Sequence, residues 1–194
     1  RGDMSGGNGA KGNGADEPEF EDEDEDLEDD DLLAVLRLIA ERAGKVILAY
    51  YVDVEDIEVR AKGDASPVTE ADEAAEAFIL RALDTLTPEI PVVSEEATAA
   101  GRAPDISGGL FWLVDPLDGT KEFLSGNGEF TVNIALIQDG APVAGVVHAP
   151  ALAMTWVGAE PDGASFSQTD QPPMPIEARR LPEAGAVVVA SRRH

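Results

Sequence analysis

The sequence contains no cysteine, which excludes both a disulfide framework and a thiolate metal site. No apolar run approaches the roughly 18 residues that a membrane-spanning helix requires, so no membrane span is expected. The stretch Arg1 to Asp16 lacks an apolar h-region, which argues against a secretory signal. Taken with the missing cysteines, the expected setting is reducing and cytoplasmic. Basic residues are scarce: 14 Lys and Arg face 39 Asp and Glu, a net charge of −25. Binding to a nucleic acid polymer rests on Lys and Arg neutralising phosphates, so that function class is not expected. A small phosphate ester is still accessible to such a chain, provided divalent cations stand between its carboxylates and the ester.

What is present divides in two. Residues 1–31 carry 14 acids and 2 bases, leaving 25 acids and 12 bases for the remainder. The first 15 residues are rich in Gly, Asn and Ala, and Asp16 to Asp31 is an acidic block interrupted by Pro18, Phe20 and Leu27. Too little apolar surface is available there to offset chain entropy, so a disordered acidic tail is expected over residues 1–30. A length of 194 residues leaves enough chain for one domain with a sizeable core.

Beyond the tail, Leu32, Val35, Leu36, Ile39, Ala43, Val46, Ile47 and Tyr50 recur at helical spacing. Residues 53–61 alternate in part and read as a strand, and Lys62 to Pro67 as a loop. Thr69 reads as the N-cap of a second helix from Glu70 to about Leu86. Pro91–Ser94 and Leu110–Val114 read as short buried strands, the second ending at Asp115, with Thr98–Gly109 a loop between them. Phe130–Ile137 and Pro142–His148 read as antiparallel strands joined by Gln138-Asp139-Gly140, which has hairpin-turn chemistry. Met154–Val157 can add a strand, Pro161–Pro175 is loop, and Ala186–Ala190 is a last apolar strand.

Acidic residues cluster where these elements begin or end: Asp72, the pair Glu95-Glu96, and Asp115-Pro116-Leu117-Asp118-Gly119-Thr120. In the last cluster a buried strand delivers Asp115 to a loop edge and Pro116 stiffens the turn. Asp115 and Asp118 then converge with the Leu117 carbonyl between them, an oxygen donor set suited to a hard cation such as Mg²⁺. Gly119 permits close backbone approach, and Thr120 opens a short helix whose free N–H groups can hold a phosphate. Taken alone, an Asp-x-x-Asp-Gly is as well explained by a strand–turn–helix capped by Asp.

The surrounding residues alter that balance. The run Trp112-Leu113-Val114-Asp115-Pro116-Leu117-Asp118-Gly119-Thr120, preceded by Ser94-Glu95-Glu96 and by Thr69-Glu70-Ala71-Asp72, resembles the inositol monophosphatase superfamily. Ser66-Pro67-Val68-Thr69, Lys121-Glu122-Phe123, Gly128–Ile137, Gly145-Val146-Val147 and Ala149-Pro150 are similar to its bisphosphate nucleotidase branch. His148 departs from that branch, where a Tyr is expected, and reads as structural. The resemblance implies an α+β class and a layered sugar-phosphatase fold. Its amino-terminal half is a largely antiparallel sheet flanked by helices.

The resemblance also implies roles. Glu95, Asp115 and the Leu117 carbonyl would bind a first Mg²⁺, Asp115 and Asp118 a second, and the family uses two or three ions. Asp72 would pair with Thr120 to position the attacking water, with Glu95 also counted among the catalytic groups; a helix-capping role competes for Asp72. Gly119, Thr120 and Lys121 would bind substrate. The implied reaction removes the 3′-phosphate of adenosine 3′,5′-bisphosphate to give AMP, in sulfate assimilation, with sensitivity to lithium. Inositol or another sugar monophosphate is the alternative substrate. The alternative from another class is an inactive fragment, or a protein that interacts through its acidic tail. The family's late Trp-Asp-x-Ala motif does not occur here. The expectation is therefore a phosphatase domain over residues 31–194 that is incomplete at its carboxy-terminus.

Overall fold

A computed structural model describes residues 32–51, 60–61, 67–68, 70–168 and 171–188, which belong to one unit, Asp31–His194. The expected acidic tail, residues 53–59 of the strand expected over 53–61, and the Thr69 cap lie outside the described residues.

The two long helices form where the apolar periodicity places them. Helix α1 spans Leu32–Tyr51 and buries Leu36, Ile39, Ala40, Ala43, Gly44 and Ile47 along one stripe. Strands β1 (Arg60–Ala61) and β2 (Pro67–Val68) form a small antiparallel pair, so the expected loop ends in a strand at Pro67. Helix α2, Glu70–Leu86, buries Ala71, Ala75, Ile79 and Leu83 together with Asp72 and Glu76. A seven-stranded sheet follows, in sequential order from β3 (Val92–Ser94) through β4 (Leu110–Asp118), β5 (Thr131–Gln138), β6 (Ala141–Ala149), β7 (Met154–Ala159) and β8 (Gly163–Gln168) to β9 (Met174–Ile176). Only β3 and β4 are parallel; every other pair is antiparallel. The result is the expected α+β, largely antiparallel sheet flanked by helices.

Helices α1 and α2 pack on the sheet face formed by Trp112, Val114, Val132, Ile134, Val146 and Val157, and these residues make the core. Trp112 is fully buried, and its indole N–H donates to Thr87 Oγ1 at 2.9 Å, tying β4 to the end of α2. The opposite face is open, with Leu113 and Val147 46% and 40% exposed, and it forms a trough of about 550 Å³ that Asp115 and Asn133 reach.

Several sequence expectations are corrected. Strand β4 does not end at Asp115 but continues to Asp118, because a bulge absorbs Pro116. Glu95–Ala99 is a short helix, α3, where the loop was placed from Thr98 onward; five residues are too few to show a period. The expected loop Pro161–Pro175 contains β8 and the start of β9, whose half-exposed, Ser- and Gly-rich residues lack an apolar alternation. Conversely, Ala186–Val188 is apolar but forms no strand and is exposed, Val188 by 82%.

Candidate metal and phosphate site

Of the residues singled out in the sequence, Glu95, Asp115, Asp118 and the Gly119-Thr120 turn are set at one end of the sheet by three separate devices. The first is register. Ser94 on β3 pairs with Val114 on the parallel strand β4, so Glu95 and Asp115 follow at the same level. Adjacent strands run about 4.8 Å apart, which makes the two backbones neighbours despite the 19 residues between them.

The second device is the bulge. On a regular strand, positions three apart face opposite sides. Here Asp115 pairs with Asn133 and Asp118 with Thr131, so three steps on β4 match two on β5. The extra residue returns Asp118 to the side that Asp115 faces. Pro116 sits inside this irregularity, where its missing N–H costs no ladder hydrogen bond. Leu117 is 1% exposed and turns its side chain into the core.

The third device is the turn at Gly119. Its φ of +94° is left-handed, and a β-carbon there would lie 3.0 Å from the Glu129 carbonyl oxygen and 3.2 Å from Phe130 Cα. Only glycine fits such a conformation without strain. Helix α4, Thr120–Leu124, begins immediately after it. Phe123 anchors α4 in an aromatic cluster with Tyr51 and Phe130, at centroid distances of 5.1 to 5.3 Å. The Thr120 hydroxyl donates to the Leu117 carbonyl at 3.3 Å. That carbonyl oxygen has a second lone pair, so the bond does not exhaust it. Lys121 is exposed at the same turn.

Burial grades the carboxylates. Asp72 is 1% exposed and both its carboxylate oxygens are shut off from solvent, as are Asp115 Oδ1 and Glu96 Oε1. Asp115 as a whole is half-buried, while Glu95 and Asp118 are exposed. Glu96, which the resemblance leaves without a metal role, is the less exposed member of its pair. Beside it, Ser94 Oγ is buried with no hydrogen-bond partner among the described residues. Glu76 stands outside the acidic motifs of the sequence. It is 7% exposed, one turn beyond Asp72, and its Oε1 accepts the Ala97 N–H at 3.1 Å. The available signal was the spacing of four from Asp72, which places both acids on the helix face that packs inward.

The donor atoms are oxygens throughout, which suits a hard divalent cation in kind. As placed, they do not close around one: among the described residues no three Asp, Glu, His or Cys side chains are grouped to hold a metal ion. No helix among the described residues is long and apolar enough to cross a membrane.

His148 lies away from these groups, buried between β6 and α1. Its Nδ1 is 3.1 Å from the Met154 carbonyl and 2.9 Å from Thr155 Oγ1. A carbonyl only accepts, which assigns the proton to Nδ1. The Thr155 hydroxyl donates onward to Glu41 Oε1 at 3.3 Å. Burial holds the imidazole pKa below its ordinary value, against opposing contributions from Glu41 and the Met154 carbonyl.

This arrangement of sheet, paired helices and acidic strand ends is that of a known phosphatase class: residues 28–193 match the inositol monophosphatase family, and the chain belongs to it. Over 122 residues, 63% of this chain, it is 52% identical to the 3′(2′),5′-bisphosphate nucleotidase CysQ of Salmonella typhimurium. That match covers 49% of the relative, so this chain spans about half the length of the curated protein it matches. Among solved structures, the extragenic suppressor protein suhB of Bartonella henselae aligns with a TM-score of 0.63 at 32% identity, over 76% of this chain and 55% of that one. CysQ of Bacteroides thetaiotaomicron aligns with a TM-score of 0.58 at 33% identity, over 76% and 59%.

Proposed function

We propose that this chain supplies the metal-binding half of a Mg²⁺-dependent 3′(2′),5′-bisphosphate nucleotidase that converts adenosine 3′,5′-bisphosphate to AMP and phosphate. What supports the reading is the strand register and the bulge, which set the backbones of Glu95, Asp115 and Asp118 at one end of the sheet, in a segment 52% identical to a nucleotidase. Glu95, Asp115, Asp118 and the Leu117 carbonyl would hold the cations. Bound Mg²⁺ would lower the pKa of a coordinated water and neutralise the phosphoryl oxygens. Asp72 and Thr120 would orient the attacking water. Gly119, Thr120 and the Lys121 ammonium would receive the phosphate. Sulfate assimilation in the cytoplasm is the matching physiological setting.

An inositol phosphate is the competing substrate, through the family's name. The 52% identity over 122 residues to a protein named as a nucleotidase favours the nucleotide. The test is phosphate release from adenosine 3′,5′-bisphosphate and from inositol 1-phosphate, with and without excess chelator. It is run on this chain alone and fused to the carboxy-terminal half of the Salmonella relative. The nucleotide should show the larger kcat/KM, only with Mg²⁺ and chiefly in the fusion. Faster turnover of the inositol ester, or activity that survives chelation, would reject the reading.

A further inference from the structure

Glu76 is a buried carboxylate that none of the roles above employs, and no ion pair to it occurs among the described residues. Burying such a group is costly without a compensating partner, and hydrophobic replacements of similar volume often serve stability as well. Its recorded partner is specific: Oε1 accepts the backbone N–H of Ala97 at 3.1 Å, across 21 residues of chain. Ala97 belongs to α3, the five-residue helix that opens with Glu95 and Glu96. Glu76 belongs to α2, one turn after the buried Asp72. The hydrogen bond therefore joins two elements that carry different parts of the candidate site.

We infer that Glu76 is a positioning residue: it fixes α3 against α2 and so sets Glu95 and Glu96 relative to Asp72. The inference rests on the metal-site reading and deepens it. Helix α3 is too short to hold itself in place, since an isolated helix of that length is not stable. Its carboxy-terminal end leads into the exposed stretch Ala100–Ala103, which offers no anchor. Helix α3 lies against β3 and β4, and the Glu76 carboxylate is the acceptor that ties its backbone to α2. Removing that acceptor frees the segment to shift. A site whose ligands must be held to within about half an ångström is sensitive to such freedom.

The test uses Glu76→Ala, which removes the acceptor, and Glu76→Gln, which keeps an oxygen in the same place. Two quantities are read on the whole chain by amide NMR: hydrogen exchange at Ala97, and the Mg²⁺ midpoint from the shifts of residues 94–98 and 115–118. Glu76→Ala should speed exchange at Ala97 by about tenfold or more beyond any change at core amides such as Ile134. It should also raise the Mg²⁺ midpoint at least about fivefold, with Glu76→Gln close to the parent in both. A purely stabilising role predicts a change shared by all core amides and an unaltered midpoint, and that result overturns the inference. Glu76→Gln behaving like Glu76→Ala also overturns it, because charge rather than the acceptor would then matter. A parent chain that ignores Mg²⁺ rejects the metal reading instead, and the exchange comparison then decides alone whether Glu76 holds α3.

Discussion

The imidazole of His148 occupies the place that a β-carbon on Gly44 would need: Cδ2 and Nε2 both lie 2.6 Å from that position, and Pro150 Cγ lies 3.0 Å away. Helix α1 thus approaches strand β6 closely because residue 44 has no side chain. The ring cannot swing aside freely, since its Nδ1 is bonded to Met154 and Thr155.

Two opposing effects govern Gly44→Ala. Alanine in a helix interior is worth about 0.8–1.0 kcal/mol over glycine. Overpacking a filled core costs about 1–3 kcal/mol. The clash should win, and Gly44→Ala should destabilise by up to about 2 kcal/mol in denaturant unfolding, the difference of those two ranges. Against a His148→Ala background only the 3.0 Å approach of Pro150 Cγ remains, and the same substitution should cost less than in the parent. Additive effects in the double-mutant cycle would show that the two residues do not compete for that space.

The same histidine gives a pH dependence. Burial depresses its folded-state pKa below 6.5, so the unfolded chain protonates first as the pH falls. Protonation would place an N–H on Nε2, on the side of the ring that faces Gly44. Stability from this group is therefore intact above about pH 6.5 and declines below it until the folded-state value is passed. Thermal melts from pH 8 to 5.5 should show a steeper acid-side fall for the parent than for His148→Asn, whose side chain does not titrate. Parallel curves for the two would contradict the assignment.

At Asp115 the expectation depends on the cation. With no metal, Asp115→Asn removes one negative charge with little change of shape and should leave the protein folded, with a cooperative melt. Added Mg²⁺ should raise the melting temperature of the parent by mass action, and the variant should lose that rise. Phosphate release by the fused chain should fall at least about a hundredfold, as expected for loss of a transition-state contact of about 2.7 kcal/mol or more. A variant that keeps its Mg²⁺-induced stabilisation would remove Asp115 from the ligand set.

Much of the architecture was legible because it rests on long periodic segments. The stripe from Leu36 to Ile47 and the alternation around Val132 and Ile134 each have one physical solution, burial against the other. The short elements were not legible for the same reason: α3 is a single turn, and β8 exposes Gly163 and Ala164 where an alternating strand would show apolar residues. Ala186–Val188 misled in the opposite sense, since apolar composition without a neighbour to pair with does not make a strand. The acidic motifs named the candidate residues but not the pairing that sets their backbones at one end of the sheet. The parallel register and the bulge at Pro116 depend on strand pairing, and Glu76 acts through a contact 21 residues away.

The pairing of Ser94 with Val114 also bears on how this chain can diverge. The interval between Glu95 and Asp115 is measured by strand-to-strand hydrogen bonds and not by the residues that connect them. The connecting stretch 100–108 is almost wholly exposed, and β4 is secured on its own account where the Gly109 carbonyl accepts the Asp139 N–H at 2.8 Å. Insertions and deletions in that stretch should therefore accumulate among descendants without disturbing the acidic end of the sheet. A single inserted residue within Val92–Ser94 would slip the register and reverse which side chains face inward, so the tolerance for length change ends abruptly at the strand.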